Sequence, residues 1–195
     1  MGTDSQKTEK MNLFEQPINK IVWKKKRYKL DLSFSSVLLA ISILKDESIF
    51  PEDRTKAALD ILVKSRHPNS GELLQAVFDI FPKSQEKGQK AMCFWQDADL
   101  IYAAFWQAYG IDLYAHQSMH WLTFLALLKG IPSNTMLAHV MEIRTRPIPK
   151  ATKYNAKEIQ ELKRLKAKYA LKPENENDSV EELTKLFEML SAQAR

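Results

Sequence analysis

Cysteine occurs once, at Cys93, so no internal disulfide can form and the core must hold without covalent staples. A lone thiol also fits a reducing compartment. Glycine is nearly as scarce, with five residues in 195. There is no phosphate-binding glycine loop and no G-x-S-x-G nucleophile elbow. Most nucleotide and thiol chemistry is thereby excluded; the chain is expected not to be an enzyme and to need no cofactor. Long apolar runs are missing as well. The most apolar stretches, 34–44 and 121–128, fall far short of the ~20 residues that span a bilayer. The first ten residues are polar and lack the apolar run of a secretory signal. The expectation is a soluble, intracellular protein with no membrane partner.

What is present is helix-forming and mildly basic. Apolar residues make up 45% of the chain, enough for a real core at this length. The net charge of +5 is unevenly spread. Lys24, Lys25, Lys26, Arg27 and Lys29 form one basic cluster, and residues 144–172 a second, whereas acids dominate from Glu174 to Glu188. A basic balance suits an anionic partner, nucleic acid included, although a solvated face explains it more simply. The two clusters lie some 115 residues apart with no DNA-reading motif around either, so no specific nucleic-acid recognition is expected.

Periodicity outlines an all-α chain, or a mainly α one with a small N-terminal β-hairpin. Tyr28, Leu30 and Leu32 alternate with Arg27, Lys29 and Asp31, a strand signal, so a hairpin within 18–32 turning near Lys24–Lys26 is expected. Phe34, Val37, Leu38, Ile41 and Leu44 then recur at helical steps behind a Ser33 cap. Pro51 opens a second helix, and Asn69 or Ser70 caps a third. Asp97 is placed to cap a helix burying Ile101, Phe105 and Ala108 and ending at Gly110. A long helix from Leu113 to Lys129, ending at Gly130, and a short one over 133–144 complete the centre. Asn155 and Glu158 stand at capping-box spacing before a basic helix. A last amphipathic helix places Val180, Leu183, Leu186, Phe187 and Leu190 on one face. The expected division is a disordered 1–12, a helical core domain at 13–145, and a basic linker with amphipathic C-terminal helices at 146–195.

Few residues offer chemistry. Asp112, His116 and His120 are four apart and would stack on one face of a continuous helix, a spacing that can hold zinc. Asp112 is better suited to an N-cap, and His120 to a hydrogen-bonded, partly buried place among Met119, Trp121 and Phe124, so no metal is expected. Asp97 and Asp99 read as caps or surface charges rather than paired acids. Tyr102, Phe105, Trp106 and Tyr109 would make a stacking platform for bases, but aromatics at helical spacing are expected in the core. Cys93, beside Phe94 and Trp95, reads as a small buried hydrophobe.

The central residues carry a resemblance. The runs are Asp97-Ala-Asp-Leu-Ile-Tyr-Ala-Ala-Phe105, Tyr109-Gly-Ile-Asp-Leu113, Met119-His-Trp-Leu-Thr-Phe124, Ala126-Leu-Leu-Lys-Gly130 and Arg144-Thr-Arg146. With Tyr28-Lys-Leu-Asp-Leu-Ser-Phe34 before them, over residues 11–170, they resemble the phage gene-product-fifteen family of the tail gene cluster. The resemblance implies a gene between those of the major tail protein and the tape measure protein, where tail assembly chaperones are encoded. Such a chaperone binds the tape measure protein in the cytoplasm of the bacterial host and is absent from the mature virion. No catalytic residue carries over. The motif residues Asp97, Tyr102, Phe105, Tyr109, Gly110 and Asp112, with His120, Trp121, Phe124, Gly130 and Arg144, are expected to be structural. Leu183, Leu186, Phe187 and Leu190 are the candidate partner-binding residues, on an arm or on a helix folded back onto its own domain. Self-association is allowed for. The alternatives are a structural tail component retained in the virion and a nucleic-acid-binding accessory protein.

Overall fold

The computed structural model describes residues 16–81 and 91–172. The period-two run forms the expected hairpin. Strand β1 (Lys20–Trp23) pairs antiparallel with β2 (Lys26–Lys29), in a register running from Lys20 opposite Lys29 to Trp23 opposite Lys26. Ile21 and Tyr28 face each other on the buried side, and the cations point outward. The turn has none of the usual Asn-Gly; Lys24 and Lys25 take φ of 46° and 64°, both left-handed, as a two-residue type I′ turn demands. That backbone is unfavourable by ~1–2 kcal/mol for each residue with a Cβ. Lys24 regains some stability by lying 4.4 Å from the centre of the Trp23 ring and 2.6 Å from the Glu72 carboxylate.

Seven helices follow among the described residues, so the protein is mainly α. In α1 (Phe34–Lys45), Phe34, Val37, Ala40, Ile41 and Leu44 are buried, and the Ser33 hydroxyl caps the helix by accepting from the Ser36 amide. Helix α2 (Pro51–Leu62) has Pro51 in its first turn, where the missing N–H is not needed. Of the two candidate caps for α3 (Gly71–Phe78), Ser70 is the one used. The others are α4 (Ala98–Tyr109), α5 (Trp121–Lys129), α6 (Met136–Thr145) and α7 (Ala156–Lys168).

The described chain divides into two compact units, one of residues 16–81 and 116–126, the other of 91–115 and 127–172. In the first, residues 32–34 run beside 119–121. Phe34 N–H donates to the Met119 carbonyl at 2.8 Å, and Trp121 N–H donates to that of Leu32 at 2.7 Å. These bonds seat an aromatic column in the core. Phe124 stacks on Phe34 at 4.7 Å and on Trp121 at 5.6 Å, and Phe81 meets Trp121 edge-on. In the second unit α4 and α6 pack together and α7 lies along α6, with Ile101, Ala104, Phe105, Leu137, Val140 and Ile143 buried.

Several local expectations are corrected. The helix predicted from Leu113 begins only at Trp121, and residues 113–118 form turns. The Met119 amide bonds the His116 carbonyl three residues back, a turn, and the Trp121 amide, which a continuous helix would send to Gln117, goes to Leu32. On α5 the deeply buried residues are Trp121, Leu122 and Phe124, and Leu125 is only partly buried. Gly110 takes the left-handed C-cap conformation at φ 64°, whereas Gly130 after α5 does not. Asn155 makes no capping bond to α7; its side-chain oxygen instead accepts from the Thr152 amide at 2.7 Å.

Asp31 supplies a pH-dependent contact in the first unit. Burial alone would raise its carboxyl pKa, but hydrogen bonds from the Ser33 hydroxyl (2.8 Å) and amide, with the Lys64 ammonium at 3.0 Å, hold it below the usual carboxylate range. A depressed folded-state pKa adds stability above the unfolded-state value, and that stability is lost as pH falls through the folded-state value. Asp31→Asn should therefore lower the urea midpoint at pH 7. The gap to the parent should close in acid, where both carry a neutral side chain; an equal gap at both pH values would refute this.

Candidate partner-binding surface

The second unit is organised by one ion pair. Arg144, in the last turn of α6, grips Asp97, just before α4, through both carboxylate oxygens at 2.6 and 2.8 Å. The side chains are 6% and 3% exposed, so the pair is shielded from water and salt. The same guanidinium donates to the carbonyls of Tyr169 (2.6 Å) and Ala91 (3.0 Å). Asp97 also accepts the Cys93 amide at 2.9 Å, and Lys166 on α7 donates to the Arg144 carbonyl at 2.6 Å. Contrary to the expectation from sequence, Asp97 is neither a surface charge nor a side-chain cap. It is the anchor for an arginine that ties the segment before α4, α6 and the end of α7 together. An arginine suits this role because its planar fork can serve a carboxylate and two carbonyls at once.

Held in this way, α4 presents an aromatic surface. Its buried face is Ile101, Ala104 and Phe105. Trp106 lies about 150° round the helix from that face at ~100° per residue, and it is 55% exposed. Tyr102, four residues earlier, shares its side of the helix and is partly exposed. Gly110 then turns the chain: its left-handed backbone lets its N–H return to the Trp106 carbonyl at 2.9 Å. The chain reverses and brings Tyr114, 76% exposed, to 5.3 Å from Tyr102 between ring centres. Asp112 fixes both tyrosines, accepting the Tyr114 amide at 2.9 Å and hydrogen-bonding the Tyr102 hydroxyl. Burial, then the nearby Asp112 carboxylate, pushes the Tyr102 phenol up, so it stays a neutral donor. Gln107 reaches the Asn134 carbonyl and draws the loop before α6 to α4; Met136, at the start of α6, is 46% exposed.

The aromatic group of α4 therefore splits. Phe105 is fully buried and Tyr109 donates its hydroxyl to the Leu127 carbonyl, but Trp106 faces solvent, contrary to its expected place in the core. The signal was available: Ile101, Ala104, Phe105 and Ala108 mark the inward side, and Trp106 falls off it.

The zinc arrangement loses its premise, because residues 113–118 are not helical and cannot stack Asp112, His116 and His120. His120 belongs to the first unit, where both its ring nitrogens are used. Leu122 N–H donates to Nδ1 at 3.2 Å, which places the ring proton on Nε2, 3.1 Å from the Ile18 carbonyl. Among the described residues no group of side chains could hold a metal ion. Trp121 and Phe124 lie in the aromatic column. Leu183, Leu186, Phe187 and Leu190 lie outside the described residues.

Fold and surface together define a mainly α protein whose second unit exposes Trp106 on α4 and Tyr114 in the turns after it. The chain belongs to the family described as Bacteriophage Gp15 protein, whose model matches residues 14–171. No curated protein and no solved structure matches it. No helix among the described residues is long and apolar enough to cross a membrane.

Proposed function

We propose that this phage-family chain is a non-catalytic tail assembly chaperone, which binds the tape measure protein in the host cytoplasm during tail morphogenesis and leaves before the virion is complete. The surface of Trp106, Tyr102 and Tyr114 carries this reading. Exposed aromatics on rigid backbone lose little side-chain entropy on binding, and Trp and Tyr dominate the energetics of protein interfaces. A long amphipathic helix exposes more apolar surface than a soluble monomer tolerates. A chaperone for it needs apolar contacts and no reactive centre. The apolar residues Leu183, Leu186, Phe187 and Leu190 are a second contact in this reading.

Co-expression tests it. The soluble yield of the tape measure protein encoded beside this gene should rise when this chain is present, and the two should co-purify. An insoluble client and no complex would remove the chaperone assignment.

A further inference from the structure

The N-terminal hairpin takes no part in that surface, yet it concentrates charge. Lys20, Lys24, Lys25, Lys26, Arg27 and Lys29 fall within ten consecutive positions, and all six are exposed. The element beneath them is firmly seated. Ile21 and Tyr28 are each 3% exposed, the Lys29 amide donates to the Ser65 hydroxyl at 3.0 Å, and the Lys26 ammonium to the Arg66 carbonyl at 3.1 Å. Glu72 pairs with Lys24, but among the described residues no carboxylate pairs with Lys20, Lys25, Arg27 or Lys29. The turn adds a second observation. Two left-handed positions, where Asn-Gly would sit without strain, hold lysines; Lys24 is engaged with Trp23 and Glu72, whereas Lys25 brings an exposed charge to the tip.

The same chain contains the complementary charge. Residues 173–195 hold Glu174, Glu176, Asp178, Glu181, Glu182 and Glu188 against Lys185 and Arg195. Nucleic acid fits the hairpin less well. Tyr28 is buried and Lys24 lies over one face of the partly buried Trp23 ring, which leaves little aromatic surface on which bases can stack. We propose that the hairpin is a docking element for a carboxylate-rich protein segment, and that its occupant is the chain's own acidic segment, residues 174–188, from the same molecule or from a second copy. This inference is independent of the chaperone assignment.

Zero-length carbodiimide cross-linking of the full chain, with the linked peptides mapped by mass spectrometry, tests it directly. Links should join Lys24, Lys25 or Lys29 to carboxylates within 174–188. They should fade at ~1 M salt, where screening acts over ~3 Å. Lys24→Asn with Lys25→Gly keeps the turn and relieves its strain, so the thermal midpoint should rise while these links decline. Arg27→Glu should weaken them further. Mixing isotope-labelled and unlabelled chains assigns the segment to the same copy or to another, and either result supports the docking. Three outcomes would overturn it: no links from the hairpin to 174–188, links indifferent to salt and to both variants, or hairpin-dependent binding of duplex DNA without such links.

Discussion

Arg144→Ala is expected to lower the unfolding free energy by about 3–5 kcal/mol, the usual effect of removing one partner from a buried ion pair. The reason is geometric. Asp97 would be left in a site 3% exposed without its cationic partner, held by a hydrogen bond from the Cys93 amide, and the carbonyls of Ala91 and Tyr169 would lose the guanidinium. Arg144→Lys should recover only part of the loss, because an ammonium cannot reproduce the bidentate fork and both carbonyl contacts. Asp97→Ala combined with Arg144→Ala should cost less than the sum of the two single changes, since the double change leaves no unpaired charge. Urea denaturation of the parent and the four variants checks this. A loss under ~1 kcal/mol for Arg144→Ala, the range of exposed pairs, would show that the pair is not shielded as described.

Phe124→Ala should be comparably severe in the first unit, at about 3–5 kcal/mol. Phe124 is 1% exposed and sits in the middle of the aromatic column, at 4.7 Å from Phe34 and 5.6 Å from Trp121. Removing it opens a cavity between two large rings that are held by backbone bonds and cannot close over it. Phe124→Leu retains most of the volume and should cost less than ~1.5 kcal/mol for packing, plus the ~0.5–1.5 kcal/mol of a lost ring–ring contact. Near-UV circular dichroism should lose intensity in both variants, because Trp121 loses its stacked neighbour. Equal stability of the Ala and Leu variants would contradict a packed column.

Local rules were enough wherever a segment's partners lie close in sequence. Ser33 and Ser70 cap the helices they precede, the alternation beginning at Arg27 falls in strand β2 (Lys26–Lys29), and Gly110 closes α4 in the left-handed conformation. They failed where a distant segment competes. Residues 113–118 are expected at the start of a helix, yet α5 starts at Trp121 because the amide of Trp121 is bonded to Leu32 and the carbonyl of Met119 to Phe34. The Asp97–Arg144 pair spans 47 residues, and nothing local distinguishes its aspartate from an ordinary cap. The surface was half legible. Asp112 and Tyr102 stand out as motif residues, but Trp106 is expected in the core because it shares helical spacing with Tyr102, Phe105 and Tyr109. Its angular position on α4 carried the better information.

Trp106→Asp combined with Tyr114→Asp offers the most direct test of partner binding by the aromatic surface. Both side chains are exposed, at 55% and 76%, so the variant should keep the parent's thermal midpoint. Co-expressed with the tape measure protein, the variant should lose it on affinity purification. Loss of a single interface hot spot worth ~2 kcal/mol already weakens binding about 30-fold. Unchanged recovery of the client by a correctly folded variant would contradict the assignment of this surface as the binding site.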